Sequence, residues 1–157
     1  MSLAFTLDEV LEKLGQLGIT HQPDRVRMDG YGDSDELSQE LLALIHNGKK
    51  RANASLAWSY EHDHDSLPQA GDIEIVVDHL GNASLITRIV SVDVMPYSAV
   101  TDEHALVEGE GDGSLQYWRQ AHWAFFSREC ERIGRKPSEA MPVVCVTFEV
   151  IAGSLGP

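Results

Sequence analysis

The strongest constraint on this chain is a pair of β-rich runs, residues 72–77 and 83–94, separated only by Asp78-His79-Leu80-Gly81-Asn82. Gly81 and Asn82 tolerate positive φ, so this short connection turns the chain back and pairs the two runs as an antiparallel hairpin. A third run, residues 143–151, is rich in β-branched side chains and suits a central strand. Residues 52–58 read as a shorter strand that starts right after the basic run Lys49-Lys50-Arg51 and leads into a polar loop over residues 61–69.

Helical periodicity separates these runs. Leu7, Val10, Leu11, Leu14 and Leu17 are spaced for a first helix, with Thr6-Leu7-Asp8-Glu9 as its capping box and Gly18 as its stop. Pro23, Gly30 and Gly32 make residues 20–33 a loop. Ser34-Asp35 caps a second helix with the stripe Leu37, Leu41, Leu42, Leu44 and Ile45, and Asn47-Gly48 supplies a left-handed stop. A short helix is expected at 101–107 and a long one from Ser114 to about Ile133, its apolar face carrying Leu115, Trp118, His122, Phe125, Phe126 and Ile133.

Helices and strands in this order, without βαβα alternation, predict an α+β domain whose mostly antiparallel sheet is curled or closed. The length of 157 residues suits one domain, here 1–157, with an N-terminal helical extension at about 5–33. No run of about 18 apolar residues and no secretion signal is visible, so no membrane partner is expected and the cytoplasm is the default location. Cys130 and Cys145 lack metal-ligand spacing and read as buried thiols.

The net charge of −13 argues against a protein that coats duplex DNA by neutralising phosphates. Any polyanion would have to meet a local basic patch. Glu108, Glu110 and Asp112 alternate like EF-hand ligands, but Arg119 stands where the twelfth, bidentate position needs Glu, so no metal or other cofactor is assigned. Asp112 or Ser114 serves instead to cap the long helix. His62-Asp63-His64-Asp65 reads as a solvated polar run. Tyr117, Trp118, Arg119, His122 and Trp123 combine stacking surfaces with a planar cation, which single-stranded bases and phosphates require; Trp118 and His122 also fit the core.

Three segments together resemble the ASCH family, relatives of the PUA-like barrels. They are Gly48-Lys49-Lys50-Arg51-Ala52-Asn53-Ala54-Ser55-Leu56, then Gly71-Asp72 before a strand, then Glu108-Gly109-Glu110-Gly111-Asp112-Gly113-Ser114-Leu115 with Tyr117-Trp118-Arg119 and His122. The resemblance implies a PUA-like β-barrel flanked by helices, with a basic cleft around Lys50 for single-stranded RNA or a nucleotide-like small molecule. Some members are similar to ribonucleases and others to amidohydrolases acting on N4-acylated cytidines. The family pattern GxKxxxxR keeps Gly48 and Lys50 but has Ser55 in place of Arg. Asn53 stands where the amidohydrolase-like members carry a nucleophilic Thr, and Glu108 matches their catalytic acid through the preceding His104-Ala105. An amide does not replace a hydroxyl as attacking group.

These residues define the expected site. Lys50, Glu108 and Asn53 are the candidate catalytic or ligand-holding groups, with Lys49, Arg51, Ser55, Tyr117, Arg119 and His122 as candidate ligand contacts. Lys50 is either a base or phosphate anchor in a partly desolvated cleft or a solvated complement to a helix C-terminus. Strand alternation forbids Lys49, Lys50 and Arg51 from lining one cleft together, and lets Lys50 and Asn53 meet only if Lys50 precedes the strand or a bulge intervenes. Three functions remain open: an RNA- or nucleotide-binding domain, a ribonuclease or nucleoside amidohydrolase, and an interaction module without ligand chemistry.

Overall fold

The computed structural model describes residues 7–18, 25–32 and 34–152. Its elements run α1 (Leu7–Gln16), β1 (Val26–Gly30), α2 (Asp35–His46), β2 (Ala52–Leu56), α3 (Ala57–His62), β3 (Ile73–Val77), β4 (Ala83–Pro96), α4 (Asp102–Glu108), α5 (Leu115–Ile133) and β5 (Pro142–Ala152). The five strands form one sheet in the order β1-β3-β4-β5-β2, parallel between β1 and β3 and antiparallel elsewhere. It is a curled half-barrel with flanking helices. The strand β4 spans 14 residues and pairs along its length with β3 and β5. Its register slips near Ile86/Thr87 and Ile89/Ser91, and bulges of this kind bend a strand and raise its twist, which curls the sheet.

The hairpin, the long helix and the central position of β5 agree with the sequence expectation. Two elements correct it. The segment expected as a loop over 20–33 contains β1, whose Met28, Asp29 and Gly30 are exposed, so an edge strand carries no apolar alternation to reveal it. The chain after β2 turns at once into α3, six residues with no side-chain cap. The proposed capping residue Thr6 lies outside the described residues.

Both sheet faces are covered. Ile73 and Ile75 of β3 pack with Leu14 of α1 on one face, while Val76 packs on the other with Leu42 and Ile45 of α2 and Phe148 of β5. On the α5 side, Trp118, Phe126 and Cys130 bury against Leu56, Met141, Val143 and Cys145. Both cysteines are free and buried. Among the described residues no helix is long and apolar enough to cross a membrane.

The sheet stays open between its edge strands β1 and β2. There Asn53 of β2 donates its amide to the hydroxyl of Tyr31, the residue following β1, at 3.0 Å. A cavity of about 410 Å³ lies at this seam, walled also by α2, α3 and α5.

Candidate functional site at the sheet seam

The seam cavity owes its first wall to how α2 ends. Ser34 caps the helix start by accepting from the Leu37 amide at 3.2 Å, and at the other end Gly48 adopts φ +88. The amides of Lys49 and Lys50 both return to the Leu44 carbonyl, so Lys50 lies in the turn before β2. That satisfies the geometric condition for Lys50 and Asn53 to share one site, and both line the cavity.

Lys50 is 1% exposed, and its three ammonium hydrogens have three acceptors: the Ala52 carbonyl at 2.7 Å, Glu110 at 3.2 Å and Glu108 at 3.5 Å. The partners come from the end of α4. Thr101 caps that helix by accepting from the His104 amide, and Gly109 closes it at φ +67. A Cβ on Gly109 would lie 2.1 Å from the Lys49 carbonyl oxygen, so only glycine permits this approach. The Arg51 amide then donates to the Val107 carbonyl at 2.9 Å, fastening the two segments. Backbone contact thus puts Lys50 beside Glu108 before any charge attraction acts.

Glu108 is the hub of a buried cluster. One carboxylate oxygen accepts from His104 Nε2 at 2.7 Å and from the Trp118 indole N–H; the other lies 3.3 Å from His122 Nε2. His104 is one helical turn before Glu108, and Trp118 and His122 are one turn apart on α5, their rings stacked at 4.2 Å. Burial pushes the Glu108 carboxyl up, but hydrogen bonds from His104 and His122 and the charges of His122 and Lys50 outweigh it and hold the group well below the ordinary range. For His122 burial favours the neutral ring, yet the bond and charge of Glu108, with Glu110 adding, raise its pKa. Its Nδ1 faces the Trp118 carbonyl at 2.9 Å, so both ring nitrogens have acceptors, as an imidazolium requires. Glu110 is held up by its own burial, against the opposing charge of Lys50.

The opposite wall carries a second polar set. Glu74 of β3 is 9% exposed and accepts from the Tyr31 hydroxyl at 3.3 Å. Burial, with the Asp29 charge adding, pushes the Glu74 carboxyl up to about 7. Partial desolvation at the cavity wall raises Asp29, and burial raises Tyr60 and, strongly, Tyr31. Ser55 and Tyr60 share a hydroxyl hydrogen bond of 2.9 Å at the same wall.

The family model for the ASCH domain matches residues 27–152. The chain belongs to the ASCH domain family. It is similar to the crystal structure of an ASCH domain from Lactobacillus crispatus JV V101, with 29% identity and a TM-score of 0.81, covering 97% of this chain and 99% of that one. It also resembles the protein EF3133 of Enterococcus faecalis V583, at 29% identity and a TM-score of 0.79, over 91% of this chain and 85% of that one. A hypothetical protein, PH0355, shares the fold at 20% identity and a TM-score of 0.54. No curated protein gives a significant match.

In this ASCH domain the cavity gathers Lys50, Asn53, Ser55, Glu108 and His122 of the residues expected from sequence. Four others lie elsewhere. Arg51 turns to the end of α2, donating to the Ile45 and Lys50 carbonyls at 2.8 Å each, and Lys49 is exposed. The Tyr117 ring covers Gly111, where an added Cβ would meet it at 2.6 Å. Arg119 lines a separate groove with Tyr97, Trp123 and Glu139. Ser114 caps α5 by accepting from the Tyr117 amide.

The cavity is not the basic patch expected around Lys50. Asp29, Glu74, Glu108 and Glu110 line it against Lys50 and Arg128, and the Lys50 ammonium is already saturated by Glu108, Glu110 and the Ala52 carbonyl. Glu108, Glu110 and His122 bring ligand atoms within 4.8 Å of one another, close enough for a metal ion, but the Lys50 ammonium supplies cationic charge at the two carboxylates. Sequence reasoning passed over Glu74, Glu110, Tyr31, Tyr60 and His104 as site residues. His104 carried a local signal in its i,i+4 spacing to Glu108, and Glu110 in its alternation with Glu108 and Asp112; Glu74, Tyr31 and Tyr60 carried none.

Proposed function

We propose that this ASCH domain binds RNA or a nucleotide-like molecule by taking one base or nucleoside unit into the seam cavity. The observation that carries the reading is the cavity itself. It has about 410 Å³, within the usual span of small-ligand sites, and the aromatic side chains of Tyr31, Tyr60 and Phe125 stand beside the polar groups of Asn53, Ser55, Glu74 and Glu110. Aromatic faces with a few fixed donors and acceptors are what an unstacked base needs. The carboxylates make the interior hostile to phosphate, so the sugar-phosphate part of the ligand stays at the mouth. Lys50 serves in this reading to orient Glu108 and Glu110 instead of gripping phosphate.

The hydrolase reading finds less support. Asn53 occupies the place of the family nucleophile and is engaged with Tyr31. The Ser55 hydroxyl pairs with Tyr60, whose proton burial holds more tightly, and not with a general base.

The deciding experiment measures binding of short single-stranded RNA and of the common nucleosides by ligand-observed NMR and calorimetry, beside Lys50→Met and Asn53→Ala. Hydrolysis of the RNA and of N4-acetylcytidine is followed in parallel, with and without divalent cation. Saturable binding that both substitutions weaken is expected. Absence of binding by every RNA and nucleoside would overturn the proposal, and turnover lost in Lys50→Met would replace it with the hydrolase.

A further inference from the structure

Glu74 is the least satisfied of the buried polar side chains in the cavity. It interrupts the apolar run of β3, Ile73-Glu74-Ile75-Val76-Val77, in a strand buried on both faces. Among the described residues only the Tyr31 hydroxyl donates to it, at 3.3 Å, whereas Glu108 receives four donors. An ionised carboxylate accepts at about four sites, so most of the capacity of Glu74 is unmet.

A second observation stands beside it. In the β3–β4 register Glu74 lies directly opposite Thr87, and cross-strand partners project to the same face. The Thr87 hydroxyl is fully buried and has no hydrogen-bond partner among the described residues. A carboxylate with a single donor and a hydroxyl with no partner among the described residues thus lie buried side by side, fewer bonds than such groups require.

We infer that Glu74 is a ligand-contacting residue that reads a base edge carrying two adjacent N–H donors, the edge that guanine presents. The inference rests on the binding reading above and names its ligand chemistry. A carboxylate offers two acceptors side by side, and the N1–H and N2–H of guanine meet both at once. A protonated carboxyl offers one donor and one acceptor, which suits the N1–H and O6 of hypoxanthine. The protonation state of Glu74 therefore selects the edge.

The surroundings of Glu74 set where that selection changes. Strand β1 contributes Arg27, which favours the charged form, and Asp29, which opposes it; β3 itself adds Asp72, which also opposes it. Tyr31 follows β1, Asn53 of β2 and Tyr60 of α3 line the same cavity, α5 adds His122 and Arg128, and the turn before β2 and the end of α4 add Lys50, Glu108 and Glu110. With burial as the largest influence, the carboxyl titrates at about 7.

The test compares guanosine with inosine, which differ only in the 2-amino group, by calorimetry at about pH 6 and about pH 8, either side of the Glu74 midpoint. Above the midpoint guanosine is expected to bind about tenfold tighter, the worth of one charge-assisted hydrogen bond; below it the ratio falls toward one. Titrating groups that do not touch the 2-amino group act on both nucleosides alike and cancel in the ratio. Guanosine binding near neutral pH should also release a proton, read as a dependence of the apparent enthalpy on buffer ionisation heat. Glu74→Gln should flatten the ratio across pH, and the wild-type profile stands even if that variant folds poorly. Equal binding of the two nucleosides at the higher pH, or an unchanged ratio in a folded Glu74→Gln variant, overturns the role of Glu74 while leaving base binding intact. Failure of both nucleosides and of single-stranded RNA to bind overturns the two readings together.

Discussion

Asn53, on one edge strand, and Tyr31, beside the other, share a hydrogen bond of 3.0 Å that spans the open seam of the sheet. The Tyr31 hydroxyl in turn donates to Glu74 at 3.3 Å, so the three side chains form one hydrogen-bonded chain across the cavity. Tyr31→Phe removes the middle group and leaves a donor and a buried acceptor unpaired. The expected loss is about 1–3 kcal/mol, read by urea unfolding. A loss indistinguishable from zero would mean that the seam is not held by this hydrogen-bonded chain.

The Lys50 ammonium and the Glu108 carboxylate have side chains 2% and 1% exposed, so neither can fall back on water. Removing one partner of such a pair strands the other charge. Lys50→Met should cost about 3–5 kcal/mol, whereas the double change Lys50→Met with Glu108→Gln should cost clearly less than the sum of the singles. Chemical denaturation of the four proteins measures the coupling. Strict additivity would sink the claim that the two residues act as a unit.

Much of this architecture is legible before any coordinates. Strands β3, β4 and β5 and the helix α5 announce themselves because their apolar patterns are long and their punctuation local: Gly81 and Asn82 in the hairpin turn, Ser114 at the start of α5. Strand β1 does not, since Val26-Arg27-Met28-Asp29-Gly30 is half solvent-facing and draws its structure from parallel pairing with β3. The same distinction divides the site. Lys50, Asn53 and Glu108 carry a family resemblance in their spacing. Glu74 and Tyr31 acquire meaning only when the sheet curls and brings β1 and β3 to face β2, a long-range event that no local pattern encodes.

His122 is held toward its imidazolium form. The geometry gives both of its nitrogens an acceptor, and Glu108 raises its pKa against the opposing effect of burial. A raised folded-state pKa contributes stability that is fully present below the unfolded value of about 6.5 and is lost as pH climbs through the folded value. Stability measured from about pH 6 upward should therefore decline through this window. An NMR titration of the ring should find a midpoint above the ordinary value in the wild type and below that midpoint in Glu108→Gln. A midpoint unmoved by the substitution would show that Glu108 does not govern the ring.

Glu74 works in the opposite sense for a carboxylate, because its folded-state pKa is raised and not lowered. Burial holds it at about 7, above its ordinary 4.5. Between those two values the folded chain binds more protons than the unfolded one, so the contribution of this group is present at low pH and is lost as pH rises through about 7. On the alkaline side the ionised group costs the fold on the order of 3 kcal/mol. Glu74→Gln keeps an acceptor for Tyr31 but never ionises. The variant should match the wild type within about 1 kcal/mol near pH 5 and exceed it by about 1–3 kcal/mol near pH 8. Urea unfolding at the two pH values tests this, and a variant no more stable than the wild type at the higher pH would refute it. A residue that weakens the fold at neutral pH, buried in an otherwise apolar strand and lining a cavity, is better explained by what it binds than by what it holds together.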